Sequence, residues 1–233
     1  MGEGAEEVPL LPVAVDVVVF TVAPASGERK PRLLALLVKV KEGPFAGHWA
    51  FPGGRVSSAE TLDEAARREL SAQTGLTRVF LEQLYTFGDP ARDPGGRVVS
   101  VAYFALVPAA PALRQAARYA EAAWFSVRSL PPLAYDHDRI ARVALRRLRA
   151  TLDTSNVAWS LLPPEFTLGD LERLYEAILG RRLDRRNFRK KALALGQLRP
   201  LGRLRRGPHR PGALYAFRSR RPALLSVTGR LSR

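Results

Sequence analysis

The sequence predicts an α+β protein of two domains: a layered sheet-and-helix domain, followed by a winged helix-turn-helix domain. Three observations support this. The first 150 residues combine several β-branched apolar stretches with two amphipathic helical stretches, the mixture that a layered domain needs. The last third carries the signals of a helix, a turn, a second helix and a β-hairpin in that order. The 233 residues are enough for one large or two modest domains.

The strands of the first domain are predicted where apolar residues cluster between turn signals. Val13–Val22 and Arg32–Lys39 are rich in aliphatic residues, and Pro24–Gly27 lies between them. This pair is therefore expected to form a β-hairpin. Further strands are expected at Val79–Thr86, Val98–Val107 and Glu121–Val127.

The clearest helix signals lie over Leu62–Thr74. Thr61 is a suitable N-cap, and Glu64, three positions later, completes a capping box. Gly75 follows the last helical residue and is suited to the left-handed conformation that ends many helices. A capped amphipathic helix is expected here.

A second helix of this domain is predicted over Asp138–Leu152, after the run Asp136-His137-Asp138. A carboxylate of that run is expected to cap the helix rather than to bind a metal. Residues 1–12 are expected to be disordered, residues 13–153 to form the first domain and residues 154–233 the second. The polar run Asp153–Asn156 marks the boundary.

The positive charge is concentrated in the last third of the chain. The net charge is +15, and residues 151–233 hold 18 Lys and Arg against 6 Asp and Glu. The first 150 residues hold 19 against 16. This asymmetry indicates a basic module for a polyanion beside a nearly neutral domain. A solvated basic surface is the alternative.

Composition excludes several classes of protein. There is no cysteine, so disulfides, thiolate catalysis and cysteine-based zinc fingers are excluded, and a reducing cytoplasm is compatible. The acidic, polar start is not a signal peptide. No apolar run approaches the roughly 20 residues that span a bilayer. A cytoplasmic protein without membrane contact is expected.

The basic domain contains a candidate recognition helix. Thr167 and Asp170 are expected to cap a first helix that ends at Gly180, and a second helix is expected from Asp184 to Gly196. In the second helix, one apolar stripe is formed by Phe188, Ala192 and Leu195. The residues off that stripe are predicted to read a DNA major groove: Arg185, Arg186, Asn187, Arg189 and Lys190.

A β-hairpin is expected after this helix, with strands at Leu198–Leu201 and Ala213–Phe217. Its turn is a candidate wing for the minor groove or its phosphates, through Arg203, Arg205, Arg206 and Arg210. Because aromatic residues are not interleaved with these charges, duplex DNA is favoured over single strands. The alternative for both elements is a solvated basic face.

The segment from Gly53 to Leu76 carries a spaced motif. It reads Gly-Gly-Arg-Val-Ser-Ser-Ala-Glu over residues 53–60 and Arg-Glu-Leu-Ser-Ala-Gln-Thr-Gly-Leu over residues 68–76. This resembles the Nudix box: Gly, five residues, Glu, seven residues, then Arg-Glu-aliphatic-any-Glu-Glu-any-Gly-aliphatic. The matching positions are Gly54, Glu60, Arg68, Glu69, Leu70, Gly75 and Leu76. The resemblance implies that the first domain is a Nudix-like α/β/α sandwich.

Two positions depart from the box, because Ala72 and Gln73 stand where the family has glutamates. In active members, glutamates at i, i+3 and i+4 share one helix face and hold divalent cations that activate water. Only Glu69 remains of that trio. The resemblance therefore implies a domain with no catalytic residues and no metal, which is not an enzyme.

The chain is more narrowly similar to the NrtR family, the Nudix-related transcriptional regulators of NAD metabolism. Leu84–Leu106 resembles the ADP-ribose-recognising branch of the Nudix superfamily, and Leu183–Lys191 resembles the winged helix of the regulators. The resemblance implies a homodimeric repressor on a palindromic duplex operator, associated with the nucleoid. ADP-ribose or a related NAD-derived nucleotide would act as effector, with no cofactor.

The resemblance also implies a set of ligand contacts. Arg55, Arg68 and Arg97 are candidates for the diphosphate, and Phe51 and Tyr103 for the base or ribose pocket. The full expected set is Phe51, Gly53, Gly54, Arg55, Arg68, Glu69, Arg97 and Tyr103. For Arg68 a bracing role, and for Tyr103 a core position, are open alternatives.

Two other functions are compatible with the sequence. One is an active hydrolase of nucleotide sugars with a nucleic-acid-binding tail, whose metal ligands would be Glu60, Glu64 and Glu69. The other is a general RNA- or polyanion-binding protein, which would discriminate poorly between an operator and random DNA.

Overall fold

The computed structural model describes residues 10–24, 30–77, 79–119, 121–206 and 211–219. Most of the N-terminal segment that we expected to be disordered, residues 1–9, lies outside these ranges, and so does Arg210 of the predicted wing. Within them, the predicted class is confirmed: a mixed sheet with helices on both faces is followed by two helices and a small sheet.

A seven-stranded sheet forms the centre of the first domain. Its strands are β1 (Val13–Pro24), β2 (Pro31–Lys39), β3 (Trp49–Ala50), β4 (Gly53–Arg55), β5 (Phe80–Phe87), β6 (Val99–Leu106) and β7 (Ala122–Ser126). The order is β3-β2-β1-β6-β5, with β4 paired to β1 and β7 to β2. The predicted hairpin of β1 and β2 is antiparallel, whereas β1 and β6 are parallel.

The alternation of side chains along β1 divides the core into two layers. Val15, Val17 and Val19 pack toward helices α1 (Leu62–Thr74) and α2 (Ala109–Ala116). Val18 and Phe20 belong to the layer on the opposite face, which includes helix α3 (His137–Thr154). A strand with successive side chains on opposite faces can supply both layers when apolar residues occupy both of its faces.

Helix α1 begins and ends where the sequence predicts. The Thr61 hydroxyl accepts a hydrogen bond from the Glu64 backbone, the Glu64 carboxylate accepts one from the Thr61 backbone, and Gly75 is left-handed with φ of 67°. These caps fix the orientation of the helix that carries the spaced motif.

Helix α2 was not predicted, so the first domain has three described helices where we expected two. Its N-cap is Pro108, whose side chain makes no capping hydrogen bond. Pro111 lies in the first turn, where a missing backbone N–H costs little. No described helix is both long enough and apolar enough to cross a bilayer.

The second domain contains helices α4 (Leu168–Leu179) and α5 (Arg185–Ala194) and a sheet of β8 (Phe166–Thr167), β10 (Gly212–Phe217) and β9 (Leu198–Arg205), in that spatial order. The predicted caps of α4 are confirmed: Thr167 and Asp170 form a capping box and Gly180 is left-handed. Strand β8 was not predicted, and β9 extends to Arg205 rather than ending at Leu201.

The two domains share one hydrophobic core through α3. Leu148 and Leu152 of α3 pack in the same cluster as Phe166 and Leu171 of the second domain. Tyr175 on α4 donates a hydrogen bond from its hydroxyl to the Leu152 carbonyl at 3.0 Å. The predicted boundary at residues 153 and 154 therefore lies on the last turn of a helix that both domains contact.

We predict that Leu148→Ala destabilises the protein by about 2–5 kcal/mol, because it removes a fully buried side chain from this shared core. Chemical denaturation followed by circular dichroism measures the loss. Arg146→Ala, an exposed change on the same helix, is the control and should cost less than about 0.5 kcal/mol. A loss for Leu148→Ala as small as the control's would contradict the packing described for α3.

Candidate functional site

A cavity of about 850 Å³ opens on the first domain between the sheet, α1 and the segment that enters α3. Its wall is formed by β1, the end of β2, the β3–β4 segment and loop residues 92–98. Both the volume and the mixture of apolar and charged lining residues fit a small-molecule site. We call this cavity the cleft.

Four of the predicted ligand residues line the cleft: Phe51, Gly53, Gly54 and Arg55. Both glycines lie in close contact with neighbouring groups. A Cβ on Gly53 would lie 2.3 Å from the Val15 carbonyl oxygen, and one on Gly54 would lie 2.2 Å from a carboxylate oxygen of Glu69. A side chain at position 53 would push β4 away from the backbone of β1, whereas one at position 54 would displace the Glu69 carboxylate.

Arg68 lies outside the cleft lining and braces the loop before α1. Its guanidinium contacts Glu60 at 2.6 Å and Glu69 at 2.6 Å, and it donates to the Arg55 carbonyl at 3.1 Å. Its hydrogen bond to Glu60 is the main reason that the pKa of that carboxyl is lowered to about 2. The geometry favours the bracing role that the sequence left open.

Arg97 and Tyr103 also lie away from the cleft lining. Arg97 is exposed and donates to the Gly88 carbonyl at 2.7 Å. Tyr103 is buried in the core layer of α1, where its hydroxyl donates to Asp63 at 2.7 Å. Burial, followed by this bond to Asp63, raises the pKa of Tyr103. Tyr103 therefore lies in the core, the position that was left open as the alternative to a ligand contact.

The helix face that would carry metal ligands is closed by an amide. Gln73 Nε2 donates to Glu69 Oε2 at 2.7 Å and to the Gly53 carbonyl at 2.7 Å. Arg68 donates to the other oxygen of Glu69 at 2.6 Å. Mg²⁺ needs oxygen ligands that face it, whereas both oxygens of Glu69 already accept N–H groups. These residues do not fit a divalent cation.

The alternative metal ligands are engaged as well. Glu60 is held by Arg68, and Glu64 accepts the Thr61 backbone N–H at 2.8 Å in the capping box. Among the residues that the structure describes, no group of three or more His, Asp or Glu side chains is arranged to hold a metal ion.

Sequence reasoning missed a buried polar cluster at the base of the cleft. Asp16 on β1 contacts His137 Nε2 at 3.3 Å, Arg92 Nη2 at 3.3 Å and the Ser100 hydroxyl at 2.5 Å. The Arg92 side chain is only 4% exposed and also contacts Asp136 at 2.8 Å. We call Asp16, Arg92, Asp136 and His137 the floor cluster. A lone Asp within an apolar strand was the signal that could have indicated it.

The hydrogen bonds of the floor cluster show which ring nitrogen of His137 carries the proton. The Phe51 backbone N–H donates to His137 Nδ1 at 2.9 Å, so Nδ1 is an acceptor and the ring proton lies on Nε2, toward Asp16. Burial on its own would raise the pKa of Asp16, but His137, Ser100 and Arg92 together hold that pKa below its usual value. Asp16 is therefore a carboxylate at neutral pH.

The capping prediction for the start of α3 is wrong for Asp136. This residue occupies the N-cap position, yet its side chain makes no capping hydrogen bond. Its Oδ1 accepts two hydrogen bonds from Arg92 instead, at 2.8 and 3.2 Å. A charged donor in a partly buried site is a stronger partner than a backbone N–H.

Cationic and aromatic side chains surround the mouth of the cleft. Among the lining residues, exposed cations are Lys39, Lys41, Arg55 and Arg118. Tyr135 packs between Phe45 and His137, with ring centroids 4.7 and 5.4 Å apart. Among the non-glycine residues that the structure describes, only Tyr135 has a positive φ, of 55°. Such strain persists where surrounding contacts enforce it and is common at ligand sites.

Helix α5 presents its predicted basic face to solvent. Phe188 and Ala192 are buried, whereas Leu195 is half-buried. Four of the predicted DNA contacts are exposed and Arg189 is half-buried; the exposed residues are Arg185, Arg186, Asn187 and Lys190. The Asp184 carboxylate caps the helix by accepting the Asn187 backbone N–H at 2.7 Å.

Two predicted wing arginines are engaged in ion pairs. Arg203 pairs with Glu165, and Arg205 pairs with Asp170 at 2.7 Å. Both carboxylates lie near the start of α4, so these pairs fasten β9 to α4. Arg206 is exposed.

Comparison with known protein families identifies both domains. Residues 11–148 match the Nudix domain, and residues 158–217 match the NrtR DNA-binding winged helix domain. The first match corresponds to the sheet domain with the cleft, and the second to the domain of α4 and α5.

Relatives extend the likeness to nearly the whole chain. The ADPR responsive transcriptional repressor of Acinetobacter baylyi is 31% identical over 88% of this chain and 81% of that protein. The crystal structure of Shewanella oneidensis NrtR complexed with a 27mer DNA has a TM-score of 0.78, with 31% identity over 88% of this chain and 93% of that one. The Nudix domain of the same Shewanella protein, complexed with ADP ribose, has a TM-score of 0.51 with 30% identity over 63% of this chain and 94% of that one.

An ADP-ribose pyrophosphatase of Methanocaldococcus jannaschii is 39% identical over 48% of this chain and 65% of that protein. This likeness is confined to about half of the chain, whereas the regulators match both domains. The chain therefore belongs to the NrtR family, in which a Nudix domain is joined to a DNA-binding winged helix domain.

Proposed function

We propose that this chain is a transcriptional repressor whose cleft binds ADP-ribose, or a related NAD-derived nucleotide, and thereby weakens its hold on operator DNA. The observation that carries the proposal is a nucleotide-sized cleft whose metal-binding face is closed by Gln73, in one chain with an exposed basic recognition helix. The A. baylyi and S. oneidensis relatives support this proposal.

The cleft offers suitable groups for a dinucleotide-like ligand. Arg55 and Arg118 are exposed lining residues that can donate to a diphosphate. Phe51 and Tyr135 provide apolar rings for a base or ribose. The Asp16 carboxylate at the base can accept hydrogen bonds from ribose hydroxyls. Binding would therefore use side chains of the protein rather than a bridging cation.

We further propose that the Nudix domain is not an enzyme. Hydrolysis in active members of the family needs carboxylates that hold cations beside a diphosphate. Here Ala72 contributes no ligand, and the one remaining carboxylate, Glu69, is occupied by Gln73 and Arg68. The likeness to the archaeal pyrophosphatase favours the alternative of an active hydrolase, which an activity measurement decides.

DNA binding is assigned to α5 and the β9–β10 hairpin. With α5 in a major groove, Arg186, Asn187 and Lys190 would reach base edges or phosphates from its exposed face. A homodimer would present two such helices to a palindromic operator, at a spacing set by the dimer. This would place the protein at the nucleoid, in the cytoplasm.

The floor cluster and α3 offer a route between the two sites. His137, which begins α3, is hydrogen-bonded to the backbone of Phe51 in the cleft wall. The other end of α3 contacts α4 through Leu152 and Tyr175. A ligand that binds more tightly to one orientation of α3 than to another would shift the winged helices. Such differential affinity is the condition for regulation.

We predict that ADP-ribose weakens operator binding by about tenfold, a typical coupling between two sites. Fluorescence anisotropy can follow this on a duplex selected by the protein from a randomised pool. Arg55→Gln should raise the Kd for ADP-ribose about 10- to 100-fold, because it removes a charge-assisted contact. Arg67→Gln is the matched control, since Arg67 is exposed on α1 and is not among the cleft-lining residues.

Unchanged operator affinity at millimolar ADP-ribose would refute the effector assignment and leave DNA binding intact. Equal losses for Arg55→Gln and Arg67→Gln would show that net charge, rather than the cleft, governs nucleotide affinity.

We predict that the protein releases no AMP from ADP-ribose in the presence of Mg²⁺. Chromatography of a long incubation measures this, with Glu69→Gln as the reference for background turnover. Turnover clearly above that reference would support the hydrolase alternative instead, because Glu69 is the remaining carboxylate of the family trio.

A further inference from the structure

A buried carboxylate lies beneath the recognition helix. The side chain of Glu172 on α4 is only 8% exposed. Glu172 is one of 6 acidic residues between Thr151 and Arg233, a segment that contains 18 Lys and Arg. A carboxylate in such a position is costly unless it is paired. Its partners are two arginines of α5.

The two arginines lie one helical turn apart and face Glu172 with the same atom. Arg185 donates from Nε to Glu172 Oε1 at 3.2 Å, and Arg189 Nε lies 3.7 Å from Glu172 Oε2. The second distance is too long for a hydrogen bond. Arg189 Nε and Glu172 Oε2 are both buried, and neither makes a hydrogen bond with a described residue. One carboxylate thus faces two guanidinium groups.

This arrangement leaves the ends of both arginines for DNA. The side chains of Arg185 and Arg189 are 71% and 42% exposed, while the Nε of Arg189 is buried. The exposed part of that side chain is therefore not the atom that faces Glu172. A guanidinium held along its Nε edge can still present its terminal amino groups to a guanine or a phosphate.

Neighbouring cations on the same helix are not restrained in this way. Arg186 and Lys190 are exposed, and no ion pair joins either to an acidic residue within the described ranges. Such free side chains suit phosphate contacts, which give affinity for any duplex. Arg185 and Arg189, which face Glu172, can therefore contribute differently to DNA binding from Arg186 and Lys190.

We propose that Glu172 is a positioning residue that makes this protein discriminate between DNA sequences. It holds Arg185 and Arg189 in the orientation that reads a base edge, and its charge partly offsets theirs toward phosphates of other sequences. The proposal rests on the DNA-binding face assigned above to α5. It predicts that Glu172 lowers affinity for non-operator DNA more than affinity for the operator.

The first test is Glu172→Gln, which keeps the size of the side chain and removes its charge. Binding is measured by anisotropy on the selected duplex and on a scrambled duplex of equal length and composition, over a series of salt concentrations. We expect affinity for the scrambled duplex to rise about threefold to tenfold, with a salt slope steeper by about one for one extra phosphate contact. Affinity for the selected duplex should change less, so selectivity falls.

Glu82→Gln is the matched control. Glu82 pairs with Arg147 at 3.2 Å on the first domain, so this variant makes the same change of net charge away from α5. We expect it to leave selectivity unchanged. Equal behaviour of the two variants, or unchanged selectivity in Glu172→Gln, would overturn the proposal.

Arg185→Lys provides a second test, which stays informative even if Glu172→Gln folds poorly. Lysine keeps the charge but has a single ammonium group, so it cannot contact Glu172 and also present a planar fork. We expect affinity for the selected duplex to fall about tenfold or more, the effect of one bidentate base contact, with affinity for the scrambled duplex within about twofold. Equal losses on both duplexes would contradict base reading by Arg185.

The wild-type protein separates this proposal from the one on which it rests. If the wild type selects no preferred duplex, the proposed DNA-binding function fails. If the wild type selects one and the variants keep its selectivity, DNA binding stands and the role of Glu172 is wrong.

Discussion

The pairing of Asp16 with Arg92 and His137 is the interaction on which the first domain most depends. Asp16 lies on β1, Arg92 on a loop and His137 at the start of α3, so three distant parts of the chain meet in one buried site. Removal of one partner from a buried ion pair typically costs about 3–5 kcal/mol, because the other charge is left unpaired. The same cluster forms the base of the cleft, so the stability of the fold and the shape of the site are set together.

Helix α3 connects that buried cluster to the second domain. Its first residue, His137, belongs to the floor cluster, and its buried residues Leu148 and Leu152 join the core of the winged helix domain. Close-packed interiors have low compressibility and transmit strain, so a shift at one end of such a helix is passed on to the side chains packed against it. The relative orientation of the two domains is therefore tied to the residues that line the cleft.

Local signals in the sequence were sufficient for much of the fold. The capping boxes at Thr61 and Thr167 and the left-handed Gly75 and Gly180 placed two helices correctly, because caps depend on neighbours within one turn. The family resemblance that the spaced motif carries located four lining residues of the cleft. What failed depends on contacts between distant residues. Nothing local shows that Asp136 would bind Arg92, 44 positions away, or that Tyr103 would face α1 rather than the cleft.

The amide of Gln73 affects how binding of a nucleotide in the cleft would depend on magnesium. In its place an active hydrolase would need carboxylates and a cation, so occupancy by nucleotide would vary with magnesium, and the bound molecule would be consumed. Here the side chain bonds to Glu69 and to the backbone of Gly53, and closes that face without any ion. A receptor of this kind, in the role proposed, would follow the level of its nucleotide alone and return each molecule intact to the cell.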